Sequence, residues 1–390
     1  MMKSLRRILA SIDLLLVFLL LLLLTGSLII LSTASYNIIS GDPYHYVKSQ
    51  AIWILTGLCL LLAVSFIDYK HYQFFMWWIY GLCIALLLFV EIFGQSVRGS
   101  QRWLYFFSGV GIQPSEFAKI MVIMTFANFL ARRKDHLNRV RDFLLPFLFV
   151  AAPMVLVFLQ PDLGTALVFA AIFTGMMFIA GANPVKFGAL IGGTITVGIA
   201  AIYLNQASPE ALPGPLKFLA GLPLPLKPYQ LQRILGFLNP EHATSDLYQV
   251  EQSIWAIGSG GLWGKGYRMG TQGQLNFLPD HHTDFIFSVV GEEFGFIGTS
   301  ILLFIFCIFL LRCISVAMRS RDLYGMLLVA GVVSMWTFQI FVNIGMASGI
   351  MPVTGLPLPF ITSGGSSMWS NLIGVGLVFS VYARRERAMF

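Results

Sequence analysis

Charge is scarce in this sequence. Asp, Glu, Lys and Arg make up only 11% of its 390 residues, against roughly 25% in soluble domains, which excludes an ordinary water-soluble globular class. Cysteine is scarce too: Cys59, Cys83, Cys307 and Cys313 contain no CxxC pair. They offer neither a disulfide framework nor a zinc site, and they read as packing or lipid-facing residues. The one glycine-dense stretch, Gly258 to Gly266, lacks the Walker A pattern, so nucleotide binding is not indicated. Alternating apolar and polar segments of about ten residues, which barrel strands require, are missing as well. What is abundant is hydrocarbon. The chain is 57% hydrophobic, in continuous Leu, Ile, Phe and Val runs of about 20 residues, enough to cross a core of roughly 30 Å as helix.

These runs predict ten transmembrane helices, at about 12–34, 49–67, 73–93, 115–131, 143–160, 163–181, 186–204, 284–311, 323–346 and 366–383. The expected fold class is all-α and polytopic, a single membrane domain over 1–390 with a large extracytoplasmic loop at 205–283. The first run follows a basic start like that of a signal peptide. It is long and lacks a convincing small-residue cleavage site, so it reads as an uncleaved span. An even number of spans puts both termini on one side, and Lys and Arg retention on the cytoplasmic face chooses it. Most of the 25 basic residues, among them Lys70, Arg132, Arg133, Arg139, Arg321 and Arg384, then fall in cytoplasmic segments. The net charge of +7 is accounted for by these anchors and calls for no nucleic-acid partner. The long loop, and the acid at its end, face outward.

That acid is Asp284, in Leu278-Pro279-Asp280-His281-His282-Thr283-Asp284, where the long loop re-enters an apolar span. A carboxylate at a membrane mouth needs a partner or a function. His281 and His282 beside two acids suggest a metal, although adjacent residues seldom complete a ligand shell. Glu116 and Lys119 share a helix face three residues apart, as a structural pair or as the lining of a polar cavity. Pro114 fits the first turn of that helix. Arg98 and Arg102, beside Trp103, suit the oxygens of a phosphate, and interfacial snorkelling is the plainer reading. Asp162 is placed to cap the helix that follows it. Gly258 to Gly266 could bring backbone N–H groups close to an anion. The Pro- and Gly-rich segment from Asn343 to Ser367 implies irregular backbone at membrane depth, which protein or a wet cavity must cover.

Taken together, Arg102-Trp103, Gln113-Pro114-Ser115-Glu116 with Lys119, Gln160-Pro161-Asp162-Leu163-Gly164, Gly258-Ser259-Gly260-Gly261, His282-Thr283-Asp284-Phe285-Ile286-Phe287 and Pro357-Leu358-Pro359 with Ser363-Gly364-Gly365 resemble the motifs of the bacterial SEDS proteins (shape, elongation, division and sporulation). The resemblance covers essentially the full length. The stretch Gln274 to Pro279 looks closer to the RodA elongation branch than to the FtsW division branch.

The resemblance implies the SEDS fold and a peptidoglycan glycosyltransferase that polymerises lipid II at the outer face of the cytoplasmic membrane. It also implies a class B penicillin-binding protein as partner, with other elongation-complex proteins. No organic cofactor is implied, and a divalent cation, Mg or Mn, is a candidate. In the family pattern the aspartate after His-Thr is catalytic, here Asp284. Members usually carry Glu where this chain has Asp280. The candidate substrate-binding residues are Arg98, Arg102, Trp103, Glu116, Lys119, Asp162, Gln252, Ser259, His282, Thr283 and Ser363. A lipid II flippase, a scaffold and an FtsW-type division protein are the rival readings.

Overall fold

A computed structural model describes residues 13–35, 44–97, 100–105, 111–133, 137, 139–206, 233, 237, 245–275, 277–278 and 281–385. The helices are α1 (Leu14–Ala34), α2 (His45–Phe66), the short α3 (Tyr69–Phe74), α4 (Met76–Phe93), α5 (Pro114–Ala131), α6 (Leu144–Leu159), α7 (Leu163–Ile179), α8 (Pro184–Gln206), α9 (Ser245–Ser259), α10 (Thr271–Gln274), α11 (Ile286–Met318), α12 (Leu323–Ala347) and α13 (Gly365–Ala383). Each of the ten expected spans is a helix. Among the described residues, α1, α2, α4, α6 with the turn before it, α11 and α12 are long and apolar enough to cross a membrane, and α7 is a shorter apolar helix. The chain is a polytopic helical membrane protein. One departure from an all-helical reading lies between α4 and α5, where β1 (Gln95–Val97), β2 (Ser100–Tyr105) and β3 (Gly111–Ile112) pair as a small antiparallel sheet.

Four of the aspartates serve twice. Asp13, Asp68, Asp162 and Asp322 cap α1, α3, α7 and α12 by accepting backbone N–H bonds from Leu16, Lys70, Thr165 and Gly325. A cap of this kind stabilises a helix by about 1 kcal/mol. The same carboxylates pair with Arg312 (2.7 Å), Arg384 (3.2 Å), Arg102 (3.5 Å) and Lys70 (3.2 Å), respectively. Helix starts are thereby tied to distant helices with very little charge. Asp322 also accepts the Tyr69 hydroxyl at 3.0 Å. Burial, with that acceptor beside it, pushes the Tyr69 phenol well above its usual range, so it remains a donor at any physiological pH.

The centre of the bundle is α5, which packs against α4, α6, α7, α12 and α13. Its buried face includes Ile120, Val122, Ile123 and Phe126 together with two charged groups, Glu116 and Lys119. On the other side, α11 is broken at Gly295, whose φ is 65°. The glycine-dense segment fills the break. The Lys265 and Gly266 N–H groups donate to the Glu292 and Glu293 carbonyls at 3.0 Å, and Phe296 and Ile297 donate to Gly261 and Leu262 at 2.9 and 3.1 Å. A break at membrane depth is tolerated because each freed backbone group finds a partner.

This close approach of backbones sets a prediction. Gly264 has φ +81°, and a Cβ there would collide with the Glu293 carbonyl. Gly264→Ala is expected to lower stability by more than about 1 kcal/mol from backbone strain alone. Gly258→Ala, in α9 with open space around it, is expected to be neutral or stabilising by a few tenths of a kcal/mol, up to about 1. Thermal unfolding of the two variants in detergent checks the contrast.

Between α12 and α13 the chain turns back into the protein. Leu356, Leu358, Phe360 and Ile361 of this re-entrant loop are buried. Gln50 of α2, itself buried, donates to the Thr362 carbonyl at 3.3 Å, and Ser27 of α1 donates to Ile361 at 3.0 Å. Such irregular backbone survives because the surrounding helices cover it and satisfy its carbonyls.

Candidate functional site

Asp284 closes a turn, 281–285, whose next residues Phe285 and Ile286 are buried at the start of α11. The apolar side chains anchor the chain there and leave the carboxylate half-buried at the mouth. Its backbone carbonyl accepts a 2.9 Å bond from Asn343 of α12. The same amide nitrogen donates to the Leu356 carbonyl at 2.7 Å. Between these anchors Gly355 has φ +71°, and the space a Cβ would take lies 3.4 Å from Asp284 Oδ2. The carboxylate thus sits over the backbone of the re-entrant loop.

The turn itself is held from behind. Both ring nitrogens of His281 lie 2.7 Å from backbone carbonyls, of Leu278 and of Ala34 at the end of α1. Both ring nitrogens are thus turned to the backbone of the same chain. Tyr46 of α2 lies against the His282 ring, centroids 4.6 Å apart. Thr283 is half-buried beside Asp284.

The opposite side of the loop meets α7. A Cβ at Gly164 would approach the Thr354 carbonyl to 2.7 Å and the Leu356 side chain to 3.0 Å, so the first turn of α7 lies against the loop. Asp162 heads that turn. Gln113, just before α5, donates to Asp162 Oδ2 at 3.3 Å, and the Gln113 N–H donates to Ser366 Oγ at 2.9 Å. Arg102 of β2 reaches Asp162 Oδ1 with Nη1 at 3.5 Å. The capping role of Asp162 is therefore accompanied by an ion pair. Arg102 Nε is buried without a hydrogen-bond partner among the described residues, so the guanidinium keeps a donor in reserve. Trp103 is half-buried on the same strand, near Tyr105.

One turn into α5, Lys119 Nζ donates to Glu116 Oε1 at 2.7 Å, and Ser370 of α13 donates to Oε2 at 3.1 Å. Both charged groups are almost wholly buried, at 2% and 0% exposure for Glu116 and Lys119. They hold one another and α13 rather than opening onto the mouth.

Other expected site residues are placed elsewhere. Ser259 is exposed at the end of α9 and donates back to Ala256 at 2.9 Å. Of the glycines around it, Gly260 and Gly264 lie against the backbone of the broken part of α11, whereas Gly258 and Gly261 have open space around them. Gln252 is buried on α9; its neighbour Ser253 bonds Ser288 of α11 and the Ala347 carbonyl, each at 2.5 Å. Ser363 is half-buried in the re-entrant loop. Arg98 and Asp280 lie outside the described residues.

Glu292 and Glu293 were not singled out from the sequence, and Asn343 was named only as the start of the Pro- and Gly-rich segment, with no role of its own. Glu292 is buried and accepts Lys265 Nζ at 2.6 Å and the Thr271 and Gln272 N–H groups at 2.7 and 3.1 Å. Glu293 accepts the Arg268 N–H at 3.2 Å. Together they order the segment that precedes the Asp284 turn. Among the described residues no group of three His, Cys, Asp or Glu stands together to hold a metal ion. Asp162 is engaged by its own donors, Gln113 and Arg102.

The model of the cell cycle protein family that comprises FtsW, RodA and SpoVE matches residues 13–387. Peptidoglycan glycosyltransferase RodA of Treponema pallidum is 35% identical, over 87% of this chain and 90% of that protein. Peptidoglycan glycosyltransferase MrdB of Escherichia coli K12 is also 35% identical, over 95% and 93%. Among solved structures, a chain from a peptidoglycan synthase complex, described for its coordination of polymerization and crosslinking, superposes with a TM-score of 0.76 at 30% identity, covering 95% of this chain and 97% of that one.

Proposed function

The chain belongs to the SEDS family of FtsW, RodA and SpoVE and is a peptidoglycan glycosyltransferase, and from that premise we propose that Asp284 is the general base with which it polymerises lipid II. Asp284 takes the proton of the acceptor sugar hydroxyl as that oxygen attacks the anomeric carbon of the donor. The bond to the lipid pyrophosphate breaks, and the anomeric configuration inverts. The observation that carries this reading is the placement of Asp284: a half-buried carboxylate fixed at the mouth of α11, over Gly355, on a loop whose other side meets the Asp162 and Arg102 pair. Glycan formation from lipid II by purified Asp284→Asn protein tests it, with headgroup translocation measured in the same preparation. Translocation without any polymerisation by the wild-type chain would favour the flippase reading instead.

The departing pyrophosphate needs fixed positive charge. Arg102, paired with Asp162 beside the re-entrant loop, is a described cation placed to supply it. Arg102→Ala is expected to raise KM for lipid II about ten- to a hundredfold, in line with loss of a charge-assisted hydrogen bond of about 1.5–3 kcal/mol. Kinetics over a lipid II concentration series check this, and an unchanged KM would remove Arg102 from donor binding.

Both termini are assigned to the cytoplasm and the site to the outer face. The distribution of Lys and Arg supports this, since Lys70, Arg312 and Arg384, which pair with the helix-capping acids, lie at the bundle end away from Asp284. A class B penicillin-binding protein, a crosslinking transpeptidase, is the assigned partner within an elongation complex. The structural likeness to a chain of a polymerizing and crosslinking complex supports that assignment.

A further inference from the structure

We propose that Asn343 is a positioning residue for the reaction, its amide clamping the backbone at Asp284 to the re-entrant loop so that the carboxylate keeps its place over Gly355. The proposal rests on Asp284 being the base. Asn343 is wholly buried on α12. Its Nδ2 donates to the Asp284 carbonyl at 2.9 Å and to the Leu356 carbonyl at 2.7 Å. Two carbonyl acceptors fix the orientation of the amide, since a flipped side chain would set oxygen against oxygen. Among the described residues Asn343 Oδ1 has no partner. The side chain therefore serves its surroundings through its NH2 group alone.

The two acceptors belong to segments far apart in the sequence. Asp284 ends the long extracytoplasmic loop, whereas Leu356 lies in the loop between α12 and α13. Gly355 offers no side chain to hold the carboxylate, and Asp284 Oδ2 comes as near as 3.4 Å to the space a Cβ would fill. If the Asn343 bridge is lost, the two backbones separate and the carboxylate moves away from the side of the loop that faces Asp162 and Arg102. A displacement of about 1 Å at a reacting group costs about a hundredfold in rate.

Gln50 supplies the control. It is also buried, and it donates to a carbonyl of the same loop, that of Thr362, but at the end away from Asp284. Loosening the loop there tests general structural damage. Loosening it at Asn343 tests placement of the base.

The experiment measures lipid II polymerisation by the purified full-length chain carrying Asn343→Leu, Asn343→Ser, Gln50→Leu or Asp284→Asn, with thermal unfolding of each. Asn343→Leu is expected to lower kcat about thirty- to a hundredfold while KM stays within about threefold, because binding contacts remain and only the reacting geometry shifts. Asn343→Ser, which keeps one donor, is expected to lie between Asn343→Leu and wild type, and it decides the question if the leucine variant does not fold. Gln50→Leu is expected to lower the melting temperature but leave kcat within about threefold, since it touches nothing at the reacting centre. An inactive Asp284→Asn together with wild-type kcat in either Asn343 variant would overturn the proposal, as would an equal fall in kcat for Gln50→Leu. Full activity of Asp284→Asn would instead overturn the assignment of the base.

Discussion

Purified protein carrying Asp284→Asn is expected to polymerise lipid II more slowly by about a hundred- to ten-thousandfold, the range that a positioned general base contributes. The substitution is nearly isosteric. It leaves the backbone carbonyl that Asn343 holds and the contact over Gly355, so the loss isolates the proton acceptor. Stability is expected to change little, because the buried groups at this point are Phe285 and Ile286 rather than the half-buried carboxylate. Asp284→Glu keeps the acid but lengthens it by one methylene in a space bounded by loop backbone, and it is expected to recover only part of the rate. The measurement is glycan chain formation from lipid II, with melting temperature as the folding check. A folded Asp284→Asn protein at wild-type rate would remove Asp284 from the chemistry. A fall in both rate and melting temperature for every substitution at this position would mark it as structural.

The helices were legible because each is an apolar run of sufficient length, a property carried by consecutive residues. The strands between α4 and α5 were not, since Gln95 to Tyr105 is short, polar and patterned by neither period. Nor was the break in α11. Its sequence around Gly295 reads as continuous helix, and the segment that completes it, Gly260 to Gly266, lies on the far side of the Asp284 turn. The glycines there suggested a ligand. Gly260 and Gly264 there also let the backbone of α11 approach closely.

The same distinction runs through the site. The pairing of Glu116 with Lys119 could be read from spacing alone, because three residues on a helix bring two side chains together. The capping role of Asp162 is local in the same way. Its ion pair with Arg102 and its bond from Gln113 are not, since both cross between elements. Asn343 could be read only as the first residue of the Pro- and Gly-rich segment, and its purpose shows when the Asp284 and Leu356 carbonyls converge on it. Glu292 and Glu293 did carry a sequence signal: two acids inside an apolar run must be held by partners. Their partners, Lys265 and the Arg268 N–H, come from the loop and depend on the fold.

The second large effect concerns the buried pair at the centre of the bundle. Lys119→Met is expected to destabilise the protein by about 3–5 kcal/mol, because it leaves the Glu116 carboxylate charged and buried, with Ser370 the one remaining side-chain donor to it among the described residues. Glu116→Gln strands the Lys119 ammonium and is expected to cost a similar amount, about 3–5 kcal/mol. The double variant Glu116→Gln with Lys119→Met removes both charges at nearly constant volume. It is expected to regain most of that loss, since exchanging a buried pair for uncharged groups ranges from neutral to stabilising by about 1–4 kcal/mol. Melting temperatures of the four proteins in one detergent close the cycle and give the coupling between the two sites. Polymerisation by the double variant then separates the two readings of the pair. The ion pair ties α5 to α13 through Ser370, and α13 begins where Ser366 accepts the Gln113 N–H beside Asp162. If the pair is a brace for that arrangement, activity returns with stability in the double variant. A folded double variant that binds and polymerises lipid II poorly would show instead that the charges themselves meet the substrate.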